Sequence, residues 1–195
     1  MNPIRTAILI SGRGSNLSSL IQAQTDPHWP ARISVVISNN KQAAGLKIAQ
    51  ENQIKTAVFD NSCYRHQRAL QEQHLHEFLT QERIQLIVLA GYMRILSADF
   101  VHKWQQRIIN IHPSLLPKYP GLHTHERALA AGESEHGCTV HWVTAQLDAG
   151  PIIAQAIVPV LKDDTPHTLA ARVLMKEHVI YAQAWQNTAR LIQQD

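Results

Sequence analysis

Two side chains of complementary chemistry stand two residues apart in Asn110-Ile111-His112-Pro113-Ser114. On an extended strand such residues project to the same face, so the Asn110 carboxamide and the His112 imidazole point the same way. One can hydrogen-bond a carbonyl oxygen while the other shuttles a proton, the pair that acyl or formyl transfer requires. Taken alone, an Asn can simply end a strand and a lone His is more often structural. A second element is Ser11-Gly12-Arg13-Gly14-Ser15-Asn16, placed between an apolar strand and a helical pattern. Its glycines let backbone approach a ligand, and the N–H groups and positive dipole end of the following helix favour a phosphate. Leu17 stands where the dinucleotide fingerprint needs its third glycine, and no Gly-Lys-Ser/Thr follows. A monophosphate therefore suits the loop better than a dinucleotide. Asp148, in Gln146-Leu147-Asp148-Ala149-Gly150-Pro151, is by default a turn former. It gains a chemical role only if the fold brings it to His112, far away in sequence.

Other polar residues read more plainly. His112, His123 and His125 lack Cys or carboxylate partners, so no metal site is expected. His66, His74 and His76 read as a solvated helix face, and Cys138 as a small core residue. Trp29, Trp104, Trp142 and Trp185 are too dispersed for a stacking platform.

These residues need a scaffold, and the apolar pattern supplies one. Candidate strands are Thr6–Ile10, Ile33–Ser38, Thr56–Phe59, Leu86–Ala90 and Ile108–Ile111. Helix-length segments separate the first four, with Leu17, Leu20 and Ile21 on one apolar face and Leu70, Phe78 and Leu79 on another. The alternation predicts an α/β fold: a Rossmann-like, mostly parallel sheet with helices on both faces. The almost continuously apolar run Ile84–Ala90 suits a strand buried on both sides. Residues 112–137 are rich in Pro and Gly and predict irregular chain with one helix near Glu126–Ala131. Cys138–Val143 and Ile152–Val160 then read as an antiparallel pair. Thr165 as N-cap and Pro166 at the first helical position open a last helix to about Leu191.

With 195 residues the chain reads as one domain, 1–195. A net charge of +3 spread over scattered basic residues suits a small anionic ligand and argues against nucleic acid. Two lone cysteines, no apolar leader and no membrane-length segment predict a cytoplasmic protein.

In combination the motifs become specific. Asn110-Ile111-His112-Pro113-Ser114-Leu115-Leu116-Pro117 resembles the signature of folate-dependent formyltransferases. Its continuation, Lys118-Tyr119-Pro120-Gly121-Leu122-His123-Thr124-His125, resembles the phosphoribosylglycinamide formyltransferase branch. The Ser11–Asn16 loop, Leu89–Leu96, Glu135-His136-Gly137, Leu147–Pro151, Arg172-Val173 and Glu177-His178 match as well.

The resemblance implies transfer of a formyl group from 10-formyltetrahydrofolate, as co-substrate and without metal, to the amine of glycinamide ribonucleotide in purine biosynthesis. It implies a catalytic set of Asn110, His112 and Asp148, in which Asp148 favours a protonated His112. Gly14, Ser15 and Asn16 would cradle the substrate phosphate, and Glu177 would face its amine end. Met93, Arg94, Ile95 and Leu96, with Asn110 and with Thr144, Ala145, Gln146, Leu147 and Asp148, would hold the folate. An Arg in the preceding helix would join them; the alignment slips between Gln67 and Arg68, and Arg68 is taken. Ala149 stands where relatives often carry Gly. A monomer or homodimer is expected. The alternatives are a methionyl-tRNA formyltransferase, expected to carry a further tRNA domain, and a formyltetrahydrofolate deformylase, expected to carry an N-terminal regulatory one. A catalytically idle nucleotide- or folate-binding module would leave the Asn, His and Asp set incidental.

Overall fold

The computed structural model describes residues 2–65 and 67–194; His66, read as solvated, lies outside them. Runs of β-branched residues form five parallel strands: β1 (Ile4–Ile10), β2 (Ala31–Ser38), β3 (Thr56–Val58), β4 (Leu86–Leu89) and β5 (Ile108–His112). Two more, β6 (Glu135–Trp142) and β7 (Ile152–Pro159), extend the sheet antiparallel. The order β3-β2-β1-β4-β5-β6-β7 puts β4 at the centre, with every residue buried. The expected α/β architecture is what the chain forms.

Among the described residues the helices are α1 (Ser15–Ala23), α2 (Ala44–Glu51), α3 (Asn61–Tyr64), α4 (Arg68–Gln81), α5 (Ala98–Lys103), α6 (Thr124–Ala130) and α7 (Pro166–Ile192). Alternate residues of β1 serve opposite faces. Ile8 and Ile10 join a core with Leu17, Val88, Tyr181 and Trp185, while Ala7 and Leu9 join one with Leu75, Leu79, Ile87 and Phe100. Burial on both faces is why these strands read as unbroken apolar runs. Helix α7 opens as its sequence predicts, with a reciprocal Thr165–Thr168 capping box and Pro166 in the first turn. Its Tyr181 hydroxyl donates to the Leu89 carbonyl oxygen at 2.8 Å, and Trp185 Nε1 to Thr6 Oγ1 at 3.1 Å.

Some expectations fail for identifiable reasons. Helix α4 exposes Leu70 and buries Gln71 and Glu72 beside Leu75 and Leu79, because those two polar groups bond the loops at the carboxyl edge of the sheet. His76 is not simply solvated: its Nδ1 accepts from Trp104 Nε1 at 3.1 Å. Cys138 is buried, as expected, but sits mid-strand; burial pushes its thiol up to about 12. The short helices α3 and α5 carry too little periodicity to stand out in sequence.

Candidate active site

Strand order reverses between β1 and β4, since the chain runs outward to β2 and β3 before returning past β1. Ligands of open α/β sheets bind outside the carboxyl ends of strands at such a point. There Ser11 N donates to the Gly91 carbonyl oxygen at 3.0 Å, and Ser11 Oγ accepts from Met93 N at 2.8 Å, tying the ends of β1 and β4 together. A cavity of about 640 Å³ opens beside them. Its wall comprises Gly91–Leu96, Asn110–Pro113, Gly121–Glu126, His141 and Val143–Asp148, with Asn16 and Glu177.

The fold brings Asp148 to His112. Its Oδ2 lies 3.4 Å from His112 Nδ1, with both side chains 8% exposed. The same oxygen accepts from Gly121 N at 2.8 Å. Asp148 adopts a left-handed backbone, φ 49°, so it also has the turn role that its sequence context suggests. Gly150 makes that turn possible: a Cβ there would meet the Trp142 carbonyl oxygen at 1.7 Å. The other ring nitrogen of His112, Nε2, lies 2.9 Å from the Tyr119 carbonyl oxygen. An oxygen thus stands against each ring nitrogen of the imidazole.

Asn110 faces the cavity from the same side of β5, as strand alternation requires. It pairs across the sheet with His141 on β6, and its Nδ2 lies 3.2 Å from His141 Nε2. His141 Nδ1 donates to the Trp142 carbonyl oxygen at 2.9 Å. Burial lowers the basicity of His141.

At the far end of the cavity, Asn16 Nδ2 donates to Glu177 Oε2 at 2.7 Å. Glu177 projects from α7 and is 7% exposed; burial raises its carboxyl, partly offset by the Asn16 bond. Asn16 Oδ1 is buried without a partner, an acceptor in want of a donor. Gly14 caps α1 at φ 82° and packs on the next helix, where a Cβ would stand 2.9 Å from Gly45 Cα. Gly14 and exposed Ser15 lie at the start of α1 but outside the cavity wall; of the three loop residues only Asn16 lines it.

The wall also carries most of the folate set. Met93 and Ile95 are 69% and 59% exposed and apolar, and Leu96 is buried. Thr144, Ala145, Gln146 and Leu147 are exposed at the opposite rim. Arg94 donates to Asn61 Oδ1. Arg68 is not among the residues of the cavity wall but adjoins it: its Nε donates to Glu72 Oε1 at 3.0 Å and its Nη2 to the Ile95 carbonyl oxygen, and its side chain is 41% exposed.

Sequence reasoning did not single out His141, nor the backbone groups of Tyr119 and Gly121 that hold His112 and Asp148. For His141 the available signal was its even spacing from Cys138–Val143, which puts it on the Thr139 side of β6. His125 Nδ1 lies 3.1 Å from His136 Nε2, and burial holds His136 down at about 4. His123 instead faces Glu126 at 3.7 Å. Among the described residues, no three His, Cys, Asp or Glu side chains converge as a metal site would require, and no helix is long and apolar enough to cross a membrane.

The formyl transferase family model matches residues 4–185, and the chain belongs to that family. Within it, the phosphoribosylglycinamide formyltransferase of Escherichia coli (strain K12) is 45% identical over 174 residues, covering 89% of this chain and 82% of that one. The crystal structure of phosphoribosylglycinamide formyltransferase from Brucella melitensis superposes with a TM-score of 0.92 at 49% identity, covering 96% of each chain. The human trifunctional purine biosynthetic protein adenosine-3 is 45% identical over 185 residues. Those residues are 95% of this chain but 18% of that protein, so the chain corresponds to one part of it.

Proposed function

We propose that this protein transfers a formyl group from 10-formyltetrahydrofolate to the amine of glycinamide ribonucleotide, a step of purine biosynthesis, and does so in the cytoplasm. The observation that carries the reading is the convergence of Asn110, His112 and Asp148 in one cavity. Membership of the formyl transferase family and likeness to phosphoribosylglycinamide formyltransferases over nearly the whole chain support the choice of substrates.

The nucleotide lies with its phosphate at Gly14, Ser15 and Asn16, where the N-terminus of α1 offers backbone N–H groups and a positive dipole end. Its amine end lies at Glu177, and the folate lies between Met93–Leu96 and Thr144–Asp148. The neutral amine attacks the formyl carbon, and the carbonyl oxygen becomes an oxyanion in a tetrahedral intermediate. Asn110 donates an N–H to that oxygen, and the His112 imidazolium stabilises it electrostatically. The attacking nitrogen gives up one proton to Asp148. His112 protonates the departing folate nitrogen as its bond to carbon breaks, and Asp148 restores the proton to His112. One proton has then moved from amine to folate, and no covalent enzyme intermediate forms. Alignment of the two substrates supplies much of the remaining acceleration.

The test is turnover with both substrates. Equimolar formylglycinamide ribonucleotide and tetrahydrofolate are expected. Folate hydrolysis without acceptor, or formylation of methionyl-tRNA in its place, would overturn the reading.

A further inference from the structure

The cross-strand neighbour of Asn110 does not itself need to touch substrate to matter. A carboxamide can rotate by half a turn and exchange its oxygen for its NH2 group with little change in shape. For an oxyanion the two orientations are opposites, since one presents a donor and the other a repelling lone pair. Something must therefore fix the Asn110 side chain with nitrogen, not oxygen, at the reacting centre.

His141 stands where it can do so. It is the register partner of Asn110 in the antiparallel β5–β6 pair, and it is 2% exposed. Its Nδ1 hydrogen is committed to the Trp142 carbonyl oxygen at 2.9 Å. In the neutral ring this leaves Nε2 as a lone-pair acceptor, 3.2 Å from Asn110 Nδ2. The carboxamide oxygen gains nothing by turning to that lone pair. One Asn110 N–H is thereby held by His141, and the second remains for the cavity. The groups that face His141 Nε2 are Asn110 and, at 3.8 Å, Asp148 Oδ1. Burial disfavours the charged ring and so preserves the acceptor.

We propose that His141 is a positioning residue: by accepting one Asn110 N–H it locks the carboxamide so that the other N–H meets the formyl oxygen. The inference rests on the function proposed above and adds to it a residue that acts only through Asn110.

A double-mutant cycle on the intact protein tests it. His141→Leu keeps the site apolar and filled but removes the acceptor. The expected loss in kcat is roughly 10- to 100-fold, smaller than the loss of the donor itself, with both KM values within about threefold. His141→Gln, whose carboxamide oxygen can again accept, should recover part of that rate. In an Asn110→Ala background, His141→Leu should cost less than about twofold, because the group that it orients is gone. A loss of equal size in both backgrounds would assign His141 to general packing and overturn the proposal, as would a near-normal rate for His141→Leu. Should the variants unfold, nitrogen-15 spectra of the unaltered protein labelled at histidine decide the matter. Hydrogen on Nδ1 with Nε2 bare at neutral pH is expected, and the opposite tautomer overturns the proposal. Failure of the parent reading looks different: wild-type protein would form no formylglycinamide ribonucleotide, or Asn110→Ala alone would leave kcat unchanged.

Discussion

The Asp148 carboxylate stands 3.4 Å from His112 Nδ1, while the opposite ring nitrogen lies against the Tyr119 carbonyl oxygen. The contact joins the long β6–β7 connection to the end of β5, and it turns an ordinary turn-forming Asp into the partner of the imidazole. With both side chains 8% exposed, the contact is poorly screened by solvent. His112→Ala should lower kcat roughly 100- to 10,000-fold and Asn110→Ala roughly 100- to 1,000-fold, with smaller changes in KM. Asp148→Asn keeps the shape and removes the charge beside the imidazole, so kcat should fall with little change in either KM. The double variant at His112 and Asp148 should be little worse than the worse single one. Steady-state kinetics of the single and double variants measure this, and an Asp148→Asn enzyme with near-normal kcat would leave Asp148 as a turn former only.

The phosphate loop makes a separable prediction. Ser15 is exposed at the first turn of α1, and Gly14 before it holds the left-handed cap. Ser15→Asp would set a carboxylate against the bound phosphate. Two like charges about 4 Å apart in a wet site repel by about 1 kcal/mol or more. The KM for glycinamide ribonucleotide should rise roughly fivefold or more, with that for the folate nearly unchanged. Glycinamide without its ribose phosphate should be a very poor substrate. Parallel loss of both affinities would move the phosphate elsewhere.

The sheet was legible in the sequence because strands buried on both faces leave unbroken apolar runs such as Ile84–Ala90. Asn110 and His112 were legible as a pair because strand alternation is local. Asp148 was not, since no periodicity links β5 to a loop beyond β6; resemblance alone suggested it. His141 escaped notice because cross-strand register becomes visible only when β5 and β6 are paired. Arg68, taken as the folate-side arginine from the resemblance, bonds Glu72 and the Ile95 carbonyl oxygen, next to the apolar folate wall. Helix periodicity could not reveal those bonds, because Glu72 is a buried carboxylate on a face that the pattern assigns to apolar residues.

Gly150 carries the placement of Asp148. An added methyl would stand 1.7 Å from the backbone oxygen of Trp142, an atom already fixed in β6 by its bond from His141. Backbone cannot step aside as a flexible side chain does, so Gly150→Ala should cost about 1–3 kcal/mol of stability or more. Displacement of the turn should also lower kcat through Asp148. Ala149, exposed and next to it, should accept Gly with no measurable change in rate. Thermal unfolding and turnover of the two variants give the comparison, and a Gly150→Ala protein of normal stability and rate would contradict the close contact.

Glu177 should show function and stability in opposition. Burial raises its carboxyl above the ordinary glutamate value. The folded state therefore holds the proton more tightly than the unfolded chain, and the sign follows from linkage: stability falls as pH rises from the unfolded value through the folded one. At neutral pH the charged, buried Glu177 is a cost to the fold, lessened by the Asn16 bond. Glu177→Gln retains an oxygen to accept from Asn16 Nδ2 and carries no charge. It should therefore be more stable than the wild type at pH 7.5, with the difference shrinking as the pH falls below the ordinary glutamate value. Its catalysis should move the other way. Replacing a charge-assisted hydrogen bond to the substrate amine end by a neutral one loses about 1–1.5 kcal/mol, the difference between the two kinds of bond. That is roughly a 5- to 10-fold drop in kcat/KM for glycinamide ribonucleotide, with the KM for the folate unaffected. Urea unfolding of both proteins at pH 4 and 7.5, beside their kinetics, tests the two halves together. A variant that is less stable than wild type at pH 7.5 would refute the buried-charge account, and one with unaltered kcat/KM would remove Glu177 from the amine end.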